Sequence, residues 1–89
     1  MSSPWYVYYL RCADASLYAG ITTDVQRRVD EHNFDNKKAA KYTRVRRPVT
    51  LTYVEQAPDK SAASKREYQL KQLSKAEKEK LVSTFLHAC

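Results

Sequence analysis

The sequence predicts a small mixed α/β domain in which three strands carry helices on their faces. One observation is the presence of three short runs rich in aromatic and β-branched residues, a composition typical of strands. Another is the helical spacing of apolar residues between the second and third runs and again after the third. A chain of 89 residues supports one modest core, so residues 1–89 are predicted to form a single domain with the order β-β-α-β-α-α.

The first two strands are predicted to form a hairpin. Trp5–Arg11 and Leu17–Thr22 are the two strand-like runs, and the small polar segment between them has the composition of a turn. Side chains alternate between the faces of a strand, so Tyr8 and Tyr9 are expected on opposite faces. Tyr18 is expected to face Tyr8 across the hairpin. Aromatic cross-strand pairs stabilise sheets, so a purely structural role for these tyrosines is the alternative.

A helix and then a loop are predicted after the hairpin. Apolar residues recur at helical spacing over 24–33, and Thr23 or Asp24 can cap this helix. Asparagine and aspartate side chains then oppose its continuation. Segment 34–48 is therefore predicted to be a loop, with one helical turn near Ala39.

The last part of the chain is predicted to hold a third strand and two helices. Apolar and polar residues alternate over 49–56, which is typical of a half-buried strand. The alternation places three residues on one of its faces: Val49, Leu51 and Tyr53. A second helix is predicted to begin at Asp59 or Ser61 and to end near residue 72. A capping box over 74–77 predicts a third helix that ends near residue 86.

Composition excludes several classes of protein and favours one kind of partner. Gly20 is the single glycine, so a glycine-rich phosphate-binding loop is excluded. No apolar run approaches the roughly 20 residues of a membrane span, which predicts no membrane partner. The sequence has no leader pattern, and its two cysteines, Cys12 and Cys89, fit no zinc motif. These features predict a reducing, cytoplasmic location. The net charge of +6 favours a polyanionic partner, nucleic acid first.

Several short motifs, in their order and spacing, resemble the GIY-YIG nuclease superfamily. They are Tyr6-Val7-Tyr8, Tyr18-Ala19-Gly20, Arg28 and His32 on the first helix, and Glu67 on a later helix. The run 17–28, the tetrapeptide Lys41-Tyr42-Thr43-Arg44 and the tripeptide Lys65-Arg66-Glu67 resemble the small stand-alone bacterial branch of UPF0213 or YhbQ-like proteins. The resemblance covers roughly residues 4–82.

The resemblance implies a fold and a chemistry. The fold is a three-stranded antiparallel sheet flanked by helices, and the reaction is cleavage of a phosphodiester bond with one divalent ion, Mg²⁺ or Mn²⁺. The matched positions are Tyr8 and Tyr18 as site tyrosines, Gly20 as the motif glycine, Arg28 as the helix arginine, His32 one turn further along, and Glu67 as the metal-binding glutamate.

Arg28 and Glu67 each have a functional and a structural interpretation. Phosphodiester hydrolysis builds negative charge on phosphate oxygens, and an arginine offers them a planar, charged fork. The structural alternative is an ion pair of Arg28 with Asp24 or Glu31. Glu67 supplies a hard oxygen ligand that suits Mg²⁺. Its structural alternative is a helix pair with Lys71.

Three residues are candidates for handling the proton of the attacking water. Tyr18 takes that proton if Arg28 and the metal stabilise its phenolate. Tyr8 holds the water by a hydrogen bond. His32 competes as the base, because an unperturbed imidazole titrates near neutral pH, and its structural alternative is a side chain packed beside Val29.

The predicted loop carries the candidate contacts to DNA. Its cations can follow a phosphate backbone, and its tyrosine can stack on an unpaired base; these residues are Lys37, Lys38, Lys41, Tyr42, Arg44, Arg46 and Arg47. The alternative is a solvated basic loop.

The sequence also departs from the family pattern. Tyr6 replaces the glycine of the first motif, and Ala19 replaces the isoleucine or valine of the second. No asparagine follows Asn36, whereas many family nucleases carry a site asparagine after the glutamate.

Three functions follow from these patterns. The first is a metal-dependent endonuclease acting on DNA, branched or flapped substrates included, with structure-selective or weakly selective action and room for a protein partner. The alternative is a nucleic-acid-binding module of the same fold with little or no catalysis. The third is a basic interaction protein whose tyrosine-rich sheet is only structural.

Overall fold

The computed structural model describes residues 4–87, and it confirms the predicted order of strands and helices with one short helix added. The elements are β1 Trp5–Arg11, β2 Leu17–Thr22, α1 Val25–Phe34, α2 Lys41–Arg44, β3 Thr50–Ala57, α3 Lys60–Gln72 and α4 Lys75–His87. The three strands form one antiparallel sheet in the order β2-β1-β3. On each face of the sheet, the side chains of the central strand β1 therefore lie between those of β2 and β3.

Side chains at the helix starts explain where three of the helices begin. Asp24 and Asp59 are the N-caps of α1 and α3, and their carboxylates accept from the backbone N–H groups of Arg27 and Ala62. At α4 the hydroxyl of Ser74 accepts from the Glu77 N–H, and the Glu77 carboxylate accepts from the Ser74 N–H. The predicted capping box is thereby confirmed.

The register of the hairpin differs from the predicted one. Tyr8 lies opposite Gly20, and Tyr18 lies opposite Leu10. The expectation that Tyr18 faces Tyr8 directly is therefore wrong, because the five-residue connection between the strands sets the pairing two residues away. Tyr8 and Tyr18 are diagonal neighbours on the same face, a spacing that long aromatic side chains still bridge.

A β-bulge changes the predicted face of β3. Tyr9 pairs with Tyr53, but the next residue, Leu10, pairs with Leu51, so Thr52 is the extra residue in β3. The bulge reverses the alternation. Leu51 packs with Tyr8 and Leu10, whereas Tyr53 packs with Tyr9 on the other face. The prediction of one shared face for Val49, Leu51 and Tyr53 is wrong for Tyr53.

The two faces of the sheet hold different cores. The larger core joins Val7 and Tyr9 to Ala63 and Leu70 of α3 and to Val82 of α4. The smaller core joins Tyr8, Leu10, Cys12 and Val49, with Tyr18 and Val29 packed against it. We call the first the helix-covered face and the second the site face.

Segment 35–49 is ordered by polar contacts that its composition did not predict. Asp35 accepts from the N–H groups of Lys37 and Lys38, which turns the chain before α2. The helical turn therefore lies at Lys41–Arg44, just after the position predicted near Ala39. Asn33 both donates to the Val49 carbonyl and accepts from the Val49 N–H, so it fixes the entry into β3.

Two predictions from composition concern cysteine and the membrane. Cys12 is a free, buried cysteine, and Cys89 lies outside the described residues. Within residues 4–87 no helix is both long and apolar enough to cross a membrane.

Candidate active site

A chain of hydrogen bonds links β1, α1 and α2 on the site face. The Tyr8 hydroxyl lies 3.0 Å from Nε2 of His32, and Nδ1 of His32 lies 2.7 Å from Oγ1 of Thr43. Oγ1 of Thr43 lies 3.0 Å from the Ala40 carbonyl oxygen. Tyr8, His32 and Thr43 are all buried. Three residues that are far apart in sequence thus form one connected polar unit.

The partners at the end of this chain determine where its protons lie. A carbonyl oxygen only accepts, so the Thr43 hydroxyl donates its single proton to Ala40. Thr43 must then accept from His32, which places the imidazole proton on Nδ1. Nε2 of His32 is left without a proton and accepts from the Tyr8 hydroxyl. The Tyr8 oxygen retains lone pairs that can accept a hydrogen bond from a nearby donor, and the Arg28 guanidinium is one such neighbour.

Burial keeps both members of the Tyr8–His32 pair neutral at neutral pH. Burial raises the pKa of Tyr8 to about 12, although the charge of Arg28 opposes the rise. Burial, helped by the charge of Arg28, lowers the pKa of His32 to about 4. The pair is therefore a phenol that donates to a neutral imidazole.

Gly20 makes room for the Tyr8 side chain. A Cβ atom at position 20 would lie 2.6 Å from Cζ of Tyr8 and would also collide with its hydroxyl. The glycine of the second motif is thus required by the close approach of a ring from the neighbouring strand. The prediction of Gly20 as a motif residue gains a physical reason from the register of the hairpin.

Arg28 borders the site from α1. Its guanidinium donates to the Lys38 carbonyl at 2.7 Å and to Glu31 at 3.1 Å. The structural alternative of a Glu31 pair is therefore present in the structure. Its charge nevertheless acts on the site, because it lowers the pKa of both Tyr8 and Tyr18 against the larger effect of burial. Arg28 combines a fixed position with a positive charge beside two hydroxyls.

Glu67 approaches the same hydroxyls from α3. After burial and Arg28, its negative charge is among the causes that raise the pKa of Tyr8 and Tyr18, so its carboxylate is electrostatically coupled to both. Its side chain is 23% exposed and lies 3.7 Å from Lys71, as the structural alternative predicted. Tyr8, Tyr18, Arg28 and His32 thus lie together on the site face, and Glu67, on a helix packed against the other face, is near enough for its charge to act on both tyrosines.

The donor set suits a weakly held divalent ion. Within residues 4–87 no group of three or more His, Cys, Asp or Glu side chains is arranged to hold a metal. Glu67 is a single hard oxygen ligand, and Mg²⁺ commonly keeps several waters and binds through one or two carboxylates and a substrate phosphate. Glu67 fits that mode of binding, and the described residues do not form a protein cage for the ion.

The predicted role of Arg28 in lowering the pKa of Tyr18 is outweighed in this structure. Burial raises the pKa of Tyr18, and the Arg28 charge offsets only part of the rise. The Tyr18 ring makes an edge contact with His32, with centroids 5.5 Å apart. Its other close neighbour is the ring of Tyr42, which stacks on it at 5.8 Å. In the protein alone Tyr18 is a protonated phenol.

Tyr42 is held on both faces of its ring. Tyr18 stacks on one face, and the Arg46 guanidinium lies 3.7 Å from the ring centroid. The Tyr42 hydroxyl donates to Ser16 at 2.7 Å. The predicted stacking of Tyr42 on an unpaired base would thus require a neighbour to leave, because neither ring face is free.

The arginines of the predicted DNA-binding loop contact the protein itself. Arg47 donates to the His32 carbonyl at the end of α1 and to Asn36, both at 2.7 Å. Arg46 pairs with Asp14 at 3.0 Å, and Arg44 donates to the Asn36 carbonyl. The lysines of the loop remain exposed; they are Lys37, Lys38 and Lys41. Arg44 is exposed as well, whereas Arg46 and Arg47 are partly buried.

Thr43 is the site residue that the sequence did not single out. In the sequence it is only one member of the tetrapeptide Lys41-Tyr42-Thr43-Arg44. In the structure it is the buried residue of α2, between exposed Tyr42 and Arg44, and the sequence itself carries no signal of that burial. Its partner also depends on how α2 packs against α1, which no local pattern reveals.

Comparison with known proteins agrees with the fold and the motifs. The GIY-YIG catalytic domain family matches residues 4–80. A UPF0213 protein of Desulfotalea psychrophila is 56% identical over 78 residues, which cover 88% of this chain and 70% of that protein. A UPF0213 protein of Natronomonas pharaonis is 53% identical over 83 residues, which cover 93% of this chain and 95% of that protein.

A solved structure supports the same assignment. The solution NMR structure of a UPF0213 protein from Bacillus halodurans matches with a TM-score of 0.56 and 48% sequence identity. The match covers 90% of this chain and 83% of that one. The three-stranded antiparallel sheet with flanking helices is thus supported by a relative that is similar in both sequence and structure. The chain belongs to the GIY-YIG domain family, within its UPF0213 branch.

Proposed function

We propose that this protein is a metal-dependent endonuclease that hydrolyses phosphodiester bonds in DNA. The observation that carries the proposal is the Tyr8 hydroxyl, which is held by His32 and flanked by the opposite charges of Arg28 and Glu67. Hydrolysis of a phosphodiester needs a proton acceptor, a cationic partner for the phosphate and an anionic ligand for a metal. These three kinds of group meet at Tyr8.

The Tyr8–His32 pair is the proposed proton acceptor. Tyr8 already donates to Nε2 of His32, so its oxygen can accept a hydrogen bond from the attacking water. When the water loses a proton to Tyr8, the phenolic proton can move to Nε2, and Thr43 holds the imidazole in the tautomer that permits this. Tyr18, diagonal to Tyr8, is the second hydroxyl that orients the water. This assignment exchanges the roles that the sequence suggested for the two tyrosines.

Arg28 is proposed to bind the phosphate. Its contacts with Glu31 and the Lys38 carbonyl fix the guanidinium near the Tyr8 hydroxyl. A guanidinium stays charged throughout the reaction and can donate two parallel hydrogen bonds to phosphate oxygens. It would therefore neutralise the charge that develops as the phosphate is attacked.

Glu67 is proposed to hold a single Mg²⁺ or Mn²⁺ ion. Such an ion supplies Lewis acidity at the phosphate oxygens when it is bound. Glu67 would contribute the one protein ligand, and the effect of its charge on the pKa of both tyrosines supports a position near the proposed proton acceptor. Since one carboxylate binds Mg²⁺ weakly, metal and DNA are expected to bind together.

The proposed action is structure-selective or weakly selective. Direct readout of a DNA sequence takes several side chains presented to base edges in a groove. The site here lies on the site face of a small sheet, and its polar groups suit phosphate and water rather than base edges. Branched or flapped DNA, whose unpaired strands can reach such a face, is the proposed substrate.

Cleavage of labelled DNA tests the proposal. Branched, flapped, single-stranded and duplex DNA are incubated with the protein and Mg²⁺, Mn²⁺ or EDTA, and matched RNA strands are included. Glu67→Gln and Arg28→Ala are expected to abolish cleavage, as is EDTA. Glu55→Gln is the matched control, because Glu55 pairs with Arg66 on α3, away from the site. Cleavage that survives in both site variants, or that Glu55→Gln also abolishes, contradicts the proposal.

A binding module without catalysis is the second candidate function. Arg28 is already paired with Glu31, and Glu67 already lies near Lys71, so both charges have partners without a substrate. Salt-dependent DNA binding with no cleavage under any metal condition would favour this alternative.

A further inference from the structure

A groove runs beside Arg28 toward the start of α3. It has a volume of about 400 Å³, and its walls come from the start of β1, the end of β2, one side of α1 and the start of α3. The residues that matter for its chemistry are Trp5, Ile21, Arg27, Arg28, Glu31 and Lys60. Arg28 belongs to both the groove and the candidate active site, so the two adjoin.

Positive charge exceeds negative charge along this groove. Arg27, Arg28 and Lys60 carry three positive charges, and Glu31 carries the negative charge among the lining residues named. Glu31 is itself shared, since Arg27 lies 3.7 Å and Arg28 3.1 Å from its carboxylate. The Arg27 side chain is 59% exposed, so it can turn toward a ligand. An anionic ligand fits this groove better than a cationic one.

The groove also offers an aromatic ring with a cation above it. Trp5 is half-buried, and the Lys60 ammonium lies 5.7 Å from the centroid of its ring. Aromatic rings that stack on bases, together with cations that follow the backbone, are the usual means of binding single-stranded nucleic acid. Trp5 supplies such a ring and Lys60 such a cation, and both lie at the far end of the groove from Arg28.

Two other surfaces fit a phosphate backbone less well. A larger cavity, about 830 Å³ on the outer side of α1, is lined by two cations, Arg27 and Lys37, against four acidic residues: Asp24, Asp30, Glu31 and Asp35. The arginines of segment 44–47 are engaged in contacts with the protein. The groove at Trp5 is thus a cationic depression that shares Arg28 with the site.

We propose that this groove binds the unpaired nucleotide next to the phosphate held by Arg28. Arg27 and Lys60 contact the following phosphate, and the base contacts the Trp5 ring once the Lys60 ammonium turns from that ring to the phosphate. The proposal rests on the proposed function for the identity of the phosphate at Arg28. It adds a binding site, a direction for the strand along α1 and a preference for a single-stranded flank.

Tryptophan fluorescence provides a direct test, because Trp5 is the one tryptophan in the chain. A short, fluorescently labelled deoxythymidine oligonucleotide is titrated into the protein in EDTA, where no cleavage occurs. Label anisotropy reports total binding, and selectively excited tryptophan emission reports occupancy of the groove. Both signals are expected to saturate at the same concentration, with the emission quenched.

Charge reversal at Lys60 identifies the groove as the binding site. Lys60→Glu is expected to weaken binding about tenfold and to lower the slope of log K against log salt by roughly one unit. A glutamate is favourable in the first turn of a helix, so this variant is expected to fold. Lys65→Glu is the matched control, since Lys65 is an exposed lysine of the same helix outside the groove, and it should change affinity less than about twofold.

The outcomes separate this proposal from the proposed function. The proposed groove site is wrong if anisotropy shows binding while tryptophan emission is unchanged. It is also wrong if Lys60→Glu and Lys65→Glu change the affinity equally. Quenching that depends on Lys60 supports the groove even if no substrate is cleaved in Mg²⁺. Cleavage together with unchanged emission supports the endonuclease and rejects the groove. Absence of binding by both signals overturns the groove as well.

Discussion

Tyr8 and Tyr9 are adjacent, fully buried residues on β1, yet their hydroxyls meet different partners on the two faces of the sheet. Tyr9 points to the helix-covered face and donates to the Leu70 carbonyl at 2.7 Å. Leu70 lies in the last turn of α3, where carbonyls lack helical partners, so this bond satisfies an otherwise unpaired acceptor. Tyr8 points to the site face and donates to His32.

The difference between the two tyrosines lies in the acceptor and not in burial. Burial raises the pKa of each to about 12. A backbone carbonyl takes up a proton only at extreme acidity, so the Tyr9 bond is static. An imidazole can take up a proton, so the Tyr8 bond can transmit one. A buried tyrosine with a raised pKa is therefore not by itself a mark of catalysis.

The residues opposite the two tyrosines on β2 repeat the contrast. Ala19 pairs with Tyr9, and Gly20 pairs with Tyr8. A Cβ atom is accommodated beneath Tyr9, where Ala19 is part of the core. The same atom at position 20 would collide with the Tyr8 ring. On the site face, the absence of a side chain at position 20 thus leaves the space in which the Tyr8 hydroxyl reaches His32.

Removal of each hydroxyl is the strongest test of the comparison. Tyr8→Phe is expected to lower the single-turnover cleavage rate about 10²- to 10⁴-fold, the usual loss when general acid–base catalysis is removed. Tyr9→Phe is expected to leave that rate within about threefold and to lower the free energy of unfolding by about 1–3 kcal/mol, since the Leu70 carbonyl loses its partner. Cleavage kinetics and urea unfolding measure the two effects. Equal loss of rate in both variants would show that the comparison does not separate catalysis from structure.

Acid is expected to destabilise the site face through His32. The pKa of His32 is lowered by burial from 6.5 to about 4, so the unfolded chain binds this proton more readily than the folded protein. The stabilising contribution is complete above pH 6.5 and is lost as the pH falls toward 4, a loss of about 3 kcal/mol over that interval.

Urea unfolding between about pH 7 and pH 4 measures this loss. His32→Gln retains an amide that can bridge Tyr8 and Thr43 but does not titrate, so it should show a smaller loss over the same interval. The imidazole resonances of His32 in the folded protein should not shift between about pH 7 and pH 5.5. A titration midpoint near pH 6.5 for those resonances would contradict the proposal that the buried imidazole is neutral because its pKa is lowered.

A methyl group at position 20 tests the packing beneath Tyr8. Gly20→Ala is expected to displace the Tyr8 ring, to lower the free energy of unfolding by about 1–3 kcal/mol, and to reduce cleavage by up to roughly 10²-fold, as a shift of about 1 Å can. Ala19→Gly on the same strand should cost about 1 kcal/mol and leave cleavage unchanged. Urea unfolding and cleavage kinetics of the pair provide the measurement. Full activity of Gly20→Ala would mean that the position of the Tyr8 ring is not critical.

Thr43 tests the far end of the hydrogen-bond chain, with the smallest expected effect. Thr43→Val leaves the His32 Nδ1–H without an acceptor, so the imidazole proton is expected to move to Nε2 and oppose the Tyr8 hydroxyl. Cleavage should fall roughly tenfold, equivalent to ~1.4 kcal/mol, and the acid limb of its pH profile should move.

Thr43→Ser is the conservative control for this substitution. It retains the hydroxyl and should restore both the rate and the pH profile. A purely structural Thr43 would lower stability in the valine variant without moving the pH profile.

Much of this protein follows from local sequence patterns. Strand runs, N-caps and the capping box depend on residues within a few positions of one another, so β1, β2, α1, α3 and α4 are predictable within one or two residues. The order and spacing of the motifs also place Tyr8, Arg28 and Glu67 in one family pattern from the sequence alone.

Other features depend on contacts between distant segments, and only the tertiary structure decided them. The bulge at Thr52 moves Tyr53 to the opposite face, and the hairpin register places Gly20 beneath Tyr8. Thr43 reaches His32 because α2 packs on α1, while Arg46 and Arg47 are drawn into contacts with the protein. The composition gives the number of charged and hydroxyl groups, but the partner of each group is set by three-dimensional proximity. That partner decides whether the group binds a ligand, transfers a proton or stabilises the fold.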